Sequence, residues 1–234
     1  MKVLVINGSP RKDRAATGGL LSLFVEGMKD AGAEIDIIYS KDLDIGDCRG
    51  CFNCWTNTPG KCIQDDDMTD VLAKMSECDL LLLATPVYVD GMTGSMKTLL
   101  DRSIPELHGT FVIRDDHCRH ELREHVKLGK VALLSVSGFT EMDNFDPLIT
   151  HVKAISKNMT REYAGAILRP NAWLLDPAGK QGAPVSDIYE AVKEAGRQLI
   201  SDGKMKDETL SVVSREILPR DQVVKLINLH SGFK

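Results

Sequence analysis

Residues 79–85 read Asp-Leu-Leu-Leu-Leu-Ala-Thr. A strand apolar at nearly every position has no face to give to water, so it must lie in a sheet covered on both sides. Four other runs read as strands. Lys2–Asn7 (KVLVIN) is rich in Val and Ile and stops at Gly8-Ser9-Pro10; Glu34–Tyr39 (EIDIIY) alternates; Lys130–Ser137 (KVALLSVS) and Tyr163–Leu168 complete the set. Between them apolar residues recur at helical spacing, as at Leu20, Leu23, Phe24, Val25 and Met28 within Gly19–Ala31. Helices are also predicted over Met68–Ser76, Thr93–Arg102, Leu148–Met159 and Val185–Asp202. Alternation of this kind builds a parallel sheet with helices on both faces.

Five such strands predict an α/β, flavodoxin-like doubly wound parallel sheet, in which ligands sit beyond the carboxyl ends of the strands. With 234 residues, no internal repeat and no Gly/Ser linker, the chain reads as one domain over residues 1–203. Three pieces exceed the minimal plan: a cysteine-rich insert at 47–67, a polar insert at 105–128 and a C-terminal extension at 204–234. In that tail a short helix is predicted over Gln222–Leu229, crowded with Val223, Val224, Leu226, Ile227 and Leu229. An oligomerisation arm and packing on its own domain are equally open for it.

Composition excludes several classes. Lys and Arg number 29 against 34 Asp and Glu, a net charge of −5, and aromatics are 5% of residues. Basic residues are scattered, so neither a phosphate-tracking face nor a base-stacking platform is expected, and nucleic acid is no partner. The longest aliphatic run falls far short of the roughly 20 residues that span a bilayer, so no membrane association is expected either. Only four apolar residues follow Met1-Lys2 before Asn7-Gly8, too few for a signal-peptide core, and a cytoplasmic location is expected. Six cysteines in a reducing compartment point to metal or redox chemistry rather than a disulfide framework.

Three strand ends carry chemistry. Residues 7–19 (NGSPRKDRAATGG) join a strand to a helix N-terminus and offer backbone N–H groups, the Ser9 and Thr17 hydroxyls and the Arg11 guanidinium, all suited to a phosphate dianion. Gly18-Gly19 lets backbone approach a ligand closely. Neither a GxGxxG fingerprint nor a P-loop is present, and an ordinary βα loop that binds nothing has the same spacing. The second end, residues 85–97 (TPVYVDGMTGSMK), is a Pro-turn bearing Tyr88 followed by a Gly-rich helix entry, a shelf for a flat ring; a half-buried Tyr88 at a strand end is the bland alternative. Ser137-Gly138-Phe139 is the third.

Taken together, KVLVINGSPR, TPVYVDGMTGSMKTLLDR and LLSVSGF resemble the flavodoxin-like NAD(P)H-dependent FMN reductase superfamily, over roughly residues 1 to 200. The resemblance implies FMN, with its phosphate on Ser9, Arg11, Thr17 and Gly18. It also implies ring contacts from Pro86, Val87 and Tyr88, with Gly138 and Phe139 on the far side.

Cys48, Cys51, Cys54 and Cys62 form C-x2-C-x2-C-x7-C. Three cysteines at steps of three, closed by a fourth, suit an iron–sulfur cube. Four thiolates also suit zinc, and small buried hydrophobes are the bland reading. Within the superfamily the insert resembles the iron–sulfur flavoproteins, which implies a [4Fe–4S] cluster on these four cysteines and a homodimer or homotetramer. Cys78 reads as core. His117, Cys118 and His120 are weighed as a metal site against a solvated or intersubunit surface. Asp67 is expected to cap the helix that begins near Met68.

No Ser-His-Asp or paired-carboxylate constellation appears, so no acid–base residue is nominated. The function expected is an FMN- and [4Fe–4S]-containing flavin-dependent oxidoreductase that passes electrons between ferredoxin or NAD(P)H and an acceptor. The alternatives are an NAD(P)H-dependent FMN or quinone reductase without a cluster, and a non-catalytic thiol redox sensor.

Overall fold

Each strand of the central sheet divides its side chains between two hydrophobic cores. A computed structural model describes residues 1–175 and 184–230. Its five-stranded sheet is built from β1 (Lys2–Asn7), β2 (Glu34–Tyr39), β3 (Leu80–Pro86), β6 (Lys130–Val136) and β7 (Glu162–Arg169). The spatial order is β2-β1-β3-β6-β7, and every pairing is parallel. This is the doubly wound order expected. Val3, Val5, Leu80 and Leu82 point into one core, while Leu4, Ile6, Leu81 and Leu83 point into the other. The leucine run is thus buried on both faces.

Helices α1 (Ala16–Asp30) and α5 (Ser186–Ser201) cover the first face; α2 (Met68–Glu77), α3 (Gly94–Asp101) and α4 (Asp146–Asn158) cover the second. α1 and α5 cross at a glycine pair. A Cβ on Gly27 would stand 1.8 Å from the Lys193 carbonyl oxygen, and one on Gly196 would stand 2.2 Å from that of Phe24. Only glycine permits so close an approach of backbones.

The polar insert, to which no element is assigned from the sequence, holds β4 (Leu107–Arg114) and β5 (His117–Leu122), an antiparallel hairpin turned at Asp115-Asp116 with φ of 53° and 54°. Asp tolerates the left-handed region that such a turn requires. One expectation is corrected, at the start of α2. Asp67 makes no side-chain cap bond; its Oδ2 accepts from the Asp44 N–H at 2.7 Å, and Asp66 Oδ1 accepts from the Met68 N–H at 3.2 Å.

The extension is in part built into the domain. α6 (Asp207–Ser214) buries Val213 in the first core, together with Met205. α7 (Arg220–His230) buries Val223 while Val224 and Leu229 stay exposed. Residues 231–234 of the tail lie outside the described residues. Among those described, no helix is long and apolar enough to cross a membrane.

Candidate functional site

The tips of β1, β3 and β6 open on one side of the sheet. After β1 the chain turns sharply because Asn7 Oδ1 accepts from the Ser9 N–H at 2.9 Å and the Gly8 N–H donates to the Ala84 carbonyl at 2.7 Å. The loop is then tied to β2: Tyr39 Oη donates to Asp13 Oδ2 at 2.8 Å, and Lys12 pairs with Asp42. It ends at α1, whose N-cap Ala15 makes no side-chain cap bond. The first N–H groups of α1 are therefore left for an outside acceptor. Thr17, in that first turn, is 1% exposed, and its Oγ1 has no hydrogen-bond partner. An anion at this position would satisfy both.

Gly18 serves packing more than ligand approach. A Cβ there would stand 2.4 Å from Asp13 Cα, whereas one on Gly19 would meet nothing within 4 Å.

At the β3 tip the Val87 N–H donates to the Val136 carbonyl at 2.9 Å, which stitches the β3 and β6 ends together. Tyr88 and Gly91 exchange two backbone bonds, of 2.9 and 3.1 Å, around Val89 and Asp90, whose φ values are +47° and +59°. The tight turn lifts Tyr88, 51% exposed, to the cavity's edge and leaves Val89 wholly exposed. At the β6 tip the Phe139 N–H donates to Ser137 Oγ at 3.0 Å, and the Phe139 carbonyl accepts from the Asn171 N–H at 2.9 Å.

These loops enclose a cavity of about 1190 Å³ lined by Ser9, Arg11, Thr17, Gly18, Pro86, Val87, Tyr88 and Gly138. Phe139 is not among the lining residues and is 68% exposed. Sequence reasoning missed Tyr39 and Trp173, which also line it. Trp173 Nε1 is buried without a partner. No strand-tip motif marks Trp173; it reaches the cavity through the turn after β7.

Cys48, Cys51, Cys54 and Cys62 line a second, smaller cavity. The segment carrying them has no regular helix or strand and is held from outside. Arg123, after β5, donates from Nη2 to the Cys54 carbonyl at 3.0 Å and from Nε to the Pro105 carbonyl at 2.8 Å. Trp55 donates to the Ile104 carbonyl at 3.2 Å and packs between the Phe52 and His120 rings. Cys48 and Cys51 are exposed, while Cys54 and Cys62 are half-buried. Burial pushes the Cys54 thiol up, and the sulfurs of Cys62, Cys51 and Cys48 push it further.

Arg102, just past α3, was also missed. It is 2% exposed and reaches this cavity. Its Nη2 donates to Cys62 Sγ at 3.3 Å and to Asp66 Oδ1 at 3.0 Å, and its Nη1 donates to Asp66 Oδ2 and the Gly46 carbonyl, both at 2.7 Å. Burial raises Asp66, but the Arg102 bonds and the N–H groups of Gly46 and Met68 outweigh it, holding the carboxyl below its usual range.

Among the described residues no group of three or more His, Cys, Asp or Glu side chains is arranged to hold a single metal ion. A zinc tetrahedron draws four sulfurs around one ion, whereas a cube spreads them over four irons. Four thiols lining one cavity are a donor set whose chemistry suits either group. Cys118 is exposed; His117 Nδ1 lies 2.7 Å from the Cys118 carbonyl and His120 Nδ1 lies 3.2 Å from that of Thr110. The structure does not gather His117, Cys118 and His120 into a ligand set.

The chain is 42% identical over 115 residues to an iron–sulfur flavoprotein of Archaeoglobus fulgidus, covering 49% of this chain and 55% of that one. It is 37% identical over 105 residues to an iron–sulfur flavoprotein of Methanocaldococcus jannaschii, covering 45% and 53% respectively. It thus spans about half the length of the curated relatives it matches. Among solved structures, an FMN-dependent NADH-azoreductase of Bacillus anthracis in complex with FMN superposes with a TM-score of 0.62 at 16% identity, over 86% of this chain and 99% of that one; this similarity speaks to the fold. Residues 1–140, which carry the loop between β1 and α1, the cysteine segment and the Tyr88 turn, match the model of the NADPH-dependent FMN reductases, and it is to this family that the chain belongs.

Proposed function

We propose that the protein is an FMN-dependent oxidoreductase that also holds a [4Fe–4S] cluster, and that it passes electrons between ferredoxin or NAD(P)H and an acceptor. The observation that carries this reading is the pairing of two cavities in one domain: one with unsatisfied anion donors at a helix N-terminus, the other lined by four thiols. The names of the archaeal relatives support the second half of it.

Bound FMN exchanges one or two electrons and a cluster one, so the pair supplies conversion between hydride and single-electron chemistry. The chain's own residues bind and orient. Ser9, Thr17 and the first N–H groups of α1, with Arg11 at the rim, hold a phosphate. Pro86 and Val87 supply an apolar floor that excludes water from one side of a ring, with Tyr88 beside it. Gly138 lets the ring's opposite edge approach backbone closely, with Phe139 outside. Cys48, Cys51, Cys54 and Cys62 are the proposed ligands of the iron. No side chain in the first cavity is assigned a proton transfer. Assembly as a homodimer or homotetramer is part of the proposal.

The test is metal and flavin analysis of protein purified under argon. The expected protein is brown, with about four irons and one FMN per chain. A yellow protein without iron leaves an NAD(P)H-dependent FMN or quinone reductase, and a colourless one that ignores added FMN overturns the whole reading. Cys51→Ala is expected to lose iron and keep FMN, because the phosphate and ring loops belong to other segments. Flavin lost in step with iron refutes the separation of the two sites.

A further inference from the structure

Four cysteine sulfurs line one cavity, and the fold places a fully buried cation against one of them. Arg102 follows the last turn of α3, yet its guanidinium binds both ends of the cysteine segment: the Gly46 carbonyl before it and the Asp66 carboxylate after it. The same group donates to Cys62 Sγ at 3.3 Å. Its Nε is buried and has no partner, so it retains a donor beyond those the protein uses. A buried guanidinium is costly unless paired; Asp66 balances it with a two-pronged bond, the geometry a planar fork favours. The pair is neutral overall, so the contact with Cys62 faces no excess of negative charge on the clamp itself.

We propose that Arg102 is a positioning residue of the thiol cavity: it holds Cys62 Sγ in ligating position and, by donating to that sulfur, stabilises the reduced state of the cluster bound there. The inference rests on the cluster assignment above. Donors to ligating sulfur are among the levers that set a cluster's potential, and partners of ligands govern how firmly a metal group is retained. Arg123 provides the contrast, because it grips the Cys54 backbone and donates to no sulfur. Lysine at position 102 keeps the charge but cannot bridge a carbonyl, a carboxylate and a sulfur with one planar fork.

The experiment compares wild type, Arg102→Gln, Arg102→Lys and Arg123→Gln, all prepared under argon. FMN content reports folding, redox titration gives the cluster midpoint, and the rate of iron loss to a chelator gives retention. Arg102→Gln is expected to keep FMN, lose iron at least about ten-fold faster and show a more negative midpoint. Arg102→Lys is expected to fall between it and wild type on both readouts. Arg123→Gln is expected to speed iron loss while the midpoint stays put. A wild-type midpoint in Arg102→Gln overturns the proposal even where iron loss is faster, since a merely structural role moves retention alone. Should Arg102→Gln fail to fold, seen as lost FMN, Arg102→Lys decides by the same midpoint. A wild type that folds with FMN and takes up no iron on reconstitution overturns the cluster assignment instead, a result distinct from an unmoved midpoint in an iron-loaded variant.

Discussion

Thr17 carries a hydroxyl that the fold buries and leaves without a partner. An unpaired buried hydroxyl costs about 1–3 kcal/mol, and the loop accepts that cost where a helix N-terminus already points unsatisfied N–H groups outward. Thr17→Val keeps the shape and removes the polar atom. It is expected to raise the melting temperature of the flavin-free protein, by about 1 kcal/mol of stability, while weakening FMN by about 1.5–3 kcal/mol, the range for a bond to a charged group. Opposite signs in calorimetry of the free and flavin-bound protein identify the hydroxyl as a ligand donor; a loss in both identifies it as packing.

Glu106 is a buried charge of another kind. Burial raises its carboxyl to about 7, against the pull of Arg161. Protonated in the fold and in the unfolded chain below about 4.5, it costs nothing there; as pH climbs through about 7 it must ionise in place, and stability is lost. Glu106→Gln is therefore expected to match wild type near pH 4.5 and to exceed it at pH 8, by at most about 3 kcal/mol. A gap in melting temperature that does not widen with pH refutes this. The position of the strand-tip loops was legible from the sequence, because apolar runs stop there at Gly- and Pro-marked turns, and the structure gathers those ends around one cavity. Arg102, Trp173 and Glu106 were not: each acquires its meaning only from surroundings that the fold gathers from distant parts of the chain.

Among the elements, the turn after β3 is one that holds strain. Val89 and Asp90 both take positive φ, a conformation that costs a β-branched residue about 1–3 kcal/mol. Because the Val89 side chain is wholly exposed, nothing is recovered by burial. Val89→Asn is expected to stabilise the protein by about 1 kcal/mol, a rise of about 2–4 °C, with FMN affinity unchanged, since the turn acts by presenting Tyr88. If flavin affinity falls as well, Val89 itself touches the ring. The central strands β1, β3 and β6 were legible because two cores demand uninterrupted apolar runs. β4 and β5 were not, for the complementary reason: Phe111 and Ile113 stand exposed, so no buried face imposed a period of two, and Asp115-Asp116 is a weaker hairpin signal than Asn-Gly.

In the whole molecule, the first cavity lies at the strand tips, the second between the cysteine segment and the end of α3, and the tail decides how firmly β7 is held. Arg169 at the end of β7 is buried, and burial lowers it to about 10, as does the charge of Arg215. Its Nη1 donates to the carbonyls of Val213 and Arg215, both at 2.7 Å. α6 is thus tied to the sheet by a buried cation as well as by Val213. The same strand end passes through Ser137 and Asn171 to the cavity rim, since the Arg169 carbonyl accepts from the Ser137 N–H at 3.0 Å. Ending the chain at Gly203 strips Arg169 of both carbonyls and uncovers part of the first core, a loss of several kcal/mol by the usual cost of a buried cation left unpaired. That truncated chain is expected to unfold far below wild type and to bind FMN poorly. Ending it at Pro219 removes α7 but keeps α6 and both carbonyls, so a melting temperature within a few degrees of wild type and full FMN binding are expected. Equal losses in the two truncations would shift the anchoring role from α6 to α7, against the bonds of Arg169.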